Sequence, residues 1–266
     1  MKLLKFLSLL FIGGLVLSCG GDDDNNDDPQ ASGLSFPLAV GNYWTYNNVD
    51  QTGTTRDSLY VTSVEVADNV VTAEMGAADP ANGFMVNLLA QSILTAENGQ
   101  LRISGSLGSP VDGFPDIIIP FEDMILYDFF AEIGTDLSMT SGEIEQVFEE
   151  IPLVIAYVIS TRQVALGHAD DFKNGISTYF GTSEIVVNMA ITAEIEVGGF
   201  VIPVSILSAQ DVLVVTNDFE QYVGFINSET VVTYELEDLS GLGIDLPFPS
   251  SDMQESSAVL DAYVAN

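Results

Sequence analysis

Polar and apolar residues alternate along most of this chain, as in strands with one face buried and one face wet. The longest run is Glu184 to Val197. There Ile185, Val187, Met189, Ile191, Ala193, Ile195 and Val197 fall on one face, and Glu184, Asn188, Thr192, Glu194 and Glu196 on the other. Gly198-Gly199 turns the chain, and Phe200 to Val215 returns with Phe200, Ile202, Val204 and Ile206 on one face. Pro203 lacks an amide for the ladder, which predicts an edge or a bulge there. Two tighter hairpins are also legible. Ser58 to Val66 and Val70 to Met75 flank the turn Ala67-Asp68-Asn69, and Ile93 to Ala96 and Leu101 to Ser104 flank Glu97-Asn98-Gly99-Gln100. Asn-Gly favours the positive φ angles that a two-residue hairpin turn needs.

Helical spacing is rarer. Phe84, Met85, Leu88 and Leu89 predict a short helix within Asn82 to Ser92. Thr140 to Ile151 reads either way. Thr140 and Glu143 match a capping box with Ile144, Val147, Phe148 and Ile151 behind it, yet the stretch also fits a strand. Pro152 would end such a helix, and Leu153 to Ile159 then reads as a buried strand. The expected fold is mainly β: a large curled antiparallel sheet, an open or half-barrel, with a few short helices. A β-sandwich is the alternative, but strands this long suit it less well.

The first residues follow another rule. Lys2 and Lys5 precede Phe6 to Leu17, a run with no charge. This is a positive segment and an apolar segment of signal-peptide length, too short to span a bilayer with confidence. Cys19, the chain's single cysteine, comes next, and a lone exported thiol has no disulfide partner within the chain. Gly20-Gly21 and Asp22 to Asp28, with five aspartates and two asparagines, then cannot bury apolar surface and predict a disordered tether. The expected organisation is residues 1–18 as a signal peptide, 19–33 as an anchor and tether, and 34–266 as a single β-rich domain.

Charge narrows the partners. The formal net charge is −33, and removal of residues 1–18 leaves Arg56, Arg102, Arg162 and Lys173 against 39 acids. That balance argues against nucleic acid and against docking of the domain itself on an anionic membrane. Apolar residues still make up 47% of the chain, enough for a sizeable core.

Catalytic arrangements are hard to assemble. His168 is the single histidine, in Gly-His-Ala-Asp-Asp, and reads as an exposed loop residue rather than a triad member. Clustered His or Cys for zinc or copper is missing, and so is a calcium loop. The carboxylate pairs Glu122-Asp123 and Glu149-Glu150 are adjacent, so their side chains diverge. No enzyme activity, metal or cofactor is expected. Trp44 shares a face with Tyr46, opposite Tyr43. It reads as core more readily than as a sugar-stacking platform.

Val16-Leu17-Ser18-Cys19 resembles a bacterial lipobox, which implies lipidation of Cys19 and cleavage before it. The acidic run behind it resembles the export signal of surface lipoproteins of Bacteroidota. FPLAVGNYWTY, residues 36–46, is similar to the Pro-Leu-x-x-Gly-Asn-x-Trp-x-Tyr opening of a broad set of Bacteroidota lipoproteins. ALGHADDFKNGI at 165–176 and NDFEQYVGFINSETVVTYEL at 217–236 resemble later elements of that set, and FFAEIGTDLSM at 129–139 resembles a degraded second copy of the opening. The resemblance implies a sheet curled around a hydrophobic groove, similar to the lipoprotein-carrier half-barrel. It also implies an outer-membrane location with the lipid on Cys19 in the membrane, at the cell surface or on the periplasmic face. The expected function is a binding module for a lipid or another hydrophobic ligand. The alternative is a surface interaction protein that meets a partner protein or a glycan.

Overall fold

The computed structural model describes residues 36–78, 81–109, 117–148, 151–169, 178–197, 199–240 and 249–265. Cys19, the signal segment, the acidic tether, Glu149-Glu150 and Lys173 lie outside the described residues. Twelve strands form one antiparallel sheet: β1 (Tyr43–Asp50), β2 (Gly53–Ala67), β3 (Val70–Ala77), β4 (Ile93–Glu97), β5 (Gln100–Gly108), β6 (Ile118–Asp128), β7 (Asp136–Phe148), β8 (Ile151–Ala169), β9 (Thr178–Val197), β10 (Phe200–Glu220), β11 (Gly224–Glu235) and β12 (Ser251–Val264). Among the described residues one helix, α1 (Phe84–Ala90), joins β3 to β4. The strand order is β6-β5-β4-β3-β2-β1-β12-β11-β10-β9-β8-β7. Every strand thus neighbours its sequence neighbours, except at two joins where the halves β1–β6 and β7–β12 meet.

The two joins differ. β1 and β12 close by an ordinary ladder from Tyr43↔Val264 to Val49↔Ser257. At the other join β6 packs against β7, β8 and β9 without a ladder, leaving one seam in a nearly closed barrel. Side chains from the facing strands take over the backbone groups of β6. The Ile125 amide donates to Ser138 Oγ (2.9 Å), the Ile125 carbonyl accepts from Thr161 Oγ1 (2.7 Å), and the Asp128 amide donates to Gln163 Oε1 (3.2 Å). Each bond satisfies a group that a buried edge would otherwise orphan.

The predicted hairpins form where turn chemistry marks them. Asp68 and Asn69 take φ of 51° and 67°, and Asn98 and Gly99 take 49° and 80°. The opening segment makes a tight turn in which the Asn42 amide donates to the Ala39 carbonyl (3.0 Å), and the Asn42 carbonyl accepts from the Val61 amide (3.1 Å). Residues 132–135 repeat it. The Thr135 amide donates to the Glu132 carbonyl (3.1 Å), and the Thr135 carbonyl accepts from the Gln163 amide (2.9 Å). Gly41 and Gly134 sit at the same step with φ of 95° and 87°, left-handed angles that disfavour a side chain. Each turn launches the first strand of its half.

One open reading is decided and two expectations are corrected. Residues 140–148, open between helix and strand, are strand. They pair in register with β8, from Thr140↔Ile159 to Phe148↔Ile151, and this long ladder overrides a one-turn capping signal. His168 is not in a loop: its backbone lies in β8, opposite Tyr179. Phe200 and Ile202 are exposed, at 75% and 44%, whereas Ile206 is buried. The hairpin tip projects past the core, and register shifts between Ser205 and Leu213 move the buried face. Pro203 lies near that irregularity, where β10 has β9 alone as a ladder partner.

The interior is one apolar cluster. Inward residues of the tall strands, such as Leu153, Ile155, Ile159, Val187, Met189 and Ile191, are buried in it together with Ile119, Phe121 and Met85. Trp44 is fully buried, donates Nε1–H to the Val223 carbonyl (2.6 Å) and lies 5.3 Å from the ring of Phe36. It is core, not a sugar platform.

Candidate binding site

The barrel wall is uneven at one rim. The β1–β2 hairpin stops at Asp50 and Gly53, opposite Ser257, whereas β11 and β12 stay paired as far as Glu235↔Ser251. Among the described residues, 251–256 of β12 therefore have a ladder neighbour on the β11 side and none on the β1 side. The step leaves a notch.

Two open cavities meet there, of about 530 Å³ and 440 Å³. Both are lined by Asp50, Gln51, Thr230, Glu255 and Ser256. The first adds Glu229, Val231 and Ser257, which alternation places on the outer face; the second adds Val232 and Gln254 on the inner face, with Asn82 beyond. No aromatic residue lines either cavity.

The hairpin end is built by its own side chains. Asp50 Oδ1 accepts from the Thr52 amide and hydroxyl (2.7 Å each) and from the Gly53 amide (3.0 Å). The Thr52 hydroxyl and then its amide hold the Asp50 carboxyl below its usual range. Gln51 reaches across the notch and donates Nε2–H to the Met253 carbonyl (3.1 Å). The Met253 amide donates to Asp252 Oδ1 (2.9 Å).

Beneath the notch lies a buried carboxylate. Asp57, 1% exposed, accepts from the Asn82 amide, Asn82 Nδ2 and the Gly83 amide at 2.7–3.1 Å. Burial pushes its pKa up, but the hydrogen bonds from Gly83 and Asn82 outweigh that and hold it below the usual carboxylate range. Asp57 thus ties the residues that lead into α1, Asn82 and the N-cap Gly83, to β2. Gly83 is required here: a Cβ would stand 2.6 Å from Asn48 Oδ1.

A belt of buried polar residues runs inward from this floor. The registers Asn48↔Ala258, Ala258↔Ser228, Ser228↔Asn217, Asn217↔Ser183 and Ser183↔Gln163 place them in one row across β1, β12, β11, β10, β9 and β8. At the seam end, Gln163 uses its whole amide: Nε2 donates to the Ala165 and Thr182 carbonyls, and Oε1 accepts from Asp128. Towards the notch the belt is unpartnered. Asn48 Oδ1, Ser228 Oγ, both amide atoms of Asn217 and Ser183 Oγ are buried without a hydrogen-bond partner. Asn48 and Ser228, 6% and 2% exposed, also line a small cavity of about 10 Å³ that shares Asp50, Asn82, Thr230 and Ser256 with the notch. A floor of rings flanks the belt on its far side, Tyr46–Phe225–Phe219–Tyr127–Phe129, with centroids 4.4–6.1 Å apart.

Sequence reasoning passed over all of this. Asn48, Ser183, Asn217 and Ser228 stand in ordinary strand alternation and become a row only through register. Of the carboxylate pairs weighed in sequence, Glu122-Asp123 falls at a bulge of β6, where Asp123 takes φ 54° and pairs with Arg102 at 2.7 Å. Arg162 pairs with Asp136 at 3.0 Å, and Arg56 with Asp261. The three described basic residues are thus all engaged away from the notch. Among the described residues no group of three His, Cys, Asp or Glu side chains is placed to hold a metal, and no helix is long and apolar enough to cross a membrane.

No family model matches the chain, and no curated protein matches it. A solved structure from Bacteroides fragilis, described as a candidate exported protein with a YmcC-like fold, is similar at 12% identity and a TM-score of 0.39, over 87% of this chain and 99% of that one. Similarity at that level carries no functional argument, so the barrel is described here from its own strands.

Proposed function

We propose that this protein is a lipid-anchored, non-catalytic binding module of the cell envelope, held in the outer membrane at the cell surface by a lipid on Cys19, and that its contact is polar and made with a partner protein. The notch carries this reading: an open, acidic and amide-lined step in the wall of a barrel whose inward apolar faces pack on one another. A hydrophobic ligand gains less support. The described cavities present carboxylates, amides and hydroxyls, and the inner face of β8 and β9 is buried by the chain's own residues. A glycan also gains less, since no ring lines the two large cavities to receive a sugar face. The lone thiol behind an apolar leader, followed by an acidic tether, supports the anchor.

Two experiments test the reading in cells that make the protein. Labelling with an alkyne fatty acid should mark the wild type and not Cys19→Ser. A photo-crosslinking residue in place of Gln254 should yield a discrete envelope-protein adduct, and one in place of Ile118 should not. Adducts of equal yield at both positions, or none at Gln254, would remove the notch as the contact.

A further inference from the structure

We infer that the notch receives a basic, extended segment of the partner, added as a new strand along residues 251–256 of β12. The inference rests on the reading of the notch as a protein contact and names the partner's chemistry.

Three observations carry it. The first is the edge. Antiparallel strands send the amide and carbonyl of one residue to one neighbour and those of the next residue to the other. Met253 turns both groups to the notch, where they meet Gln51 and Asp252. Ser251 and Glu255 therefore present theirs to the same side. An incoming strand displaces two side-chain caps and completes a ladder that β1 leaves unfinished, which is how strand addition gains its affinity. The second is charge. Asp50, Glu229 and Glu255 line the notch, Asp252 flanks it, and the described arginines are all paired elsewhere. Alternate lysines or arginines on the outer face of an incoming strand would meet Glu229 and Glu255, while Asp50 and Asp252 deepen the negative field from the inner side, which sets both its sign and its period. The third is the floor. Asn48 and Ser228, more than nine-tenths buried, carry unpartnered polar atoms and line the small cavity beneath the notch. Hydroxyl or amide side chains on the alternate positions of the incoming strand would meet them.

The test uses the full mature chain in detergent and two synthetic peptides of equal length and charge, capped at both ends. One alternates lysine and threonine. In the other, the lysine amides are N-methylated, so it keeps the charge but cannot complete a ladder. Fluorescence anisotropy should show the lysine–threonine peptide bound at least tenfold more tightly than the N-methylated peptide, and at least tenfold more weakly by Glu255→Lys than by the wild type. Equal binding of the two peptides, full binding by Glu255→Lys or no binding at all would overturn the inference. Gln254 crosslinks in cells persisting in any of those cases would leave the protein contact standing without strand addition. Their loss would remove both.

Discussion

Two edges of this sheet pose the same problem and meet different ends. β6 reaches the seam with no ladder partner, and the interior covers it: Ser138, Thr161 and Gln163 each take one of its backbone groups. The upper part of β12 also lacks a neighbour, yet it faces open space lined by carboxylates and carries only the light caps of Gln51 and Asp252. The belt joins the two regions. Its amide at the seam, Gln163, is fully used, and its polar atoms nearer the notch are not. A barrel that spends three interior side chains on one edge shows that its sequence can cover an edge. The edge left open beside acids is the one suited to a partner, and charge there also discourages self-association through strand pairing.

The comparison can be broken at the seam first. Gln163→Leu leaves the Asp128 amide and two carbonyls without partners in a buried setting. It should destabilise the protein by about 3 kcal/mol, read as a lower urea midpoint. Asp57→Asn comes next. The amide it introduces opposes the donors of Asn82 and Gly83, for a loss of about 2 kcal/mol. The pH dependence has a definite sign. Asp57 is held below its usual pKa, so its contribution is present above the unfolded value, near 4, and is lost as pH falls through the folded one. The stability curves of wild type and Asp57→Asn should separate at neutral pH and converge in acid. Thr161→Val keeps shape but orphans the Ile125 carbonyl, for about 1–2 kcal/mol.

A change of opposite sign sharpens the contrast. Asn217→Leu removes two buried polar atoms that have no partner, so it should raise the stability by about 1 kcal/mol, read as a higher urea midpoint. A loss there would mean that the amide serves a partner within the barrel. Glu255→Lys, on the exposed rim, should change stability by less than about 0.5 kcal/mol while it weakens peptide binding at least tenfold.

Much of the fold was legible in the chain because alternation and turn chemistry act locally. The hairpins at Asp68-Asn69 and Asn98-Gly99, the strand from Glu184 to Val197 and the core position of Trp44 need no distant partner to be read. Residues 140–148 could not be settled that way, since a few residues of helical spacing compete with a ladder to β8 that the local sequence does not display. The notch was out of reach for a stronger reason. It is a difference in length between β1–β2 and β11–β12, strands paired across some 200 residues of chain, and its floor is a row of single polar residues from five strands. Each of them looks like a strand residue until register lines them up.

Residue-resolved amide hydrogen exchange, with and without the lysine–threonine peptide, tests the open edge most directly. Strand addition predicts at least tenfold slower exchange at the Ser251 and Glu255 amides with peptide bound. It also predicts unchanged exchange at Ile125 and Asp128, whose amides the seam already holds. Bound peptide with no protection along residues 251–256, or equal protection from the N-methylated peptide, would contradict it.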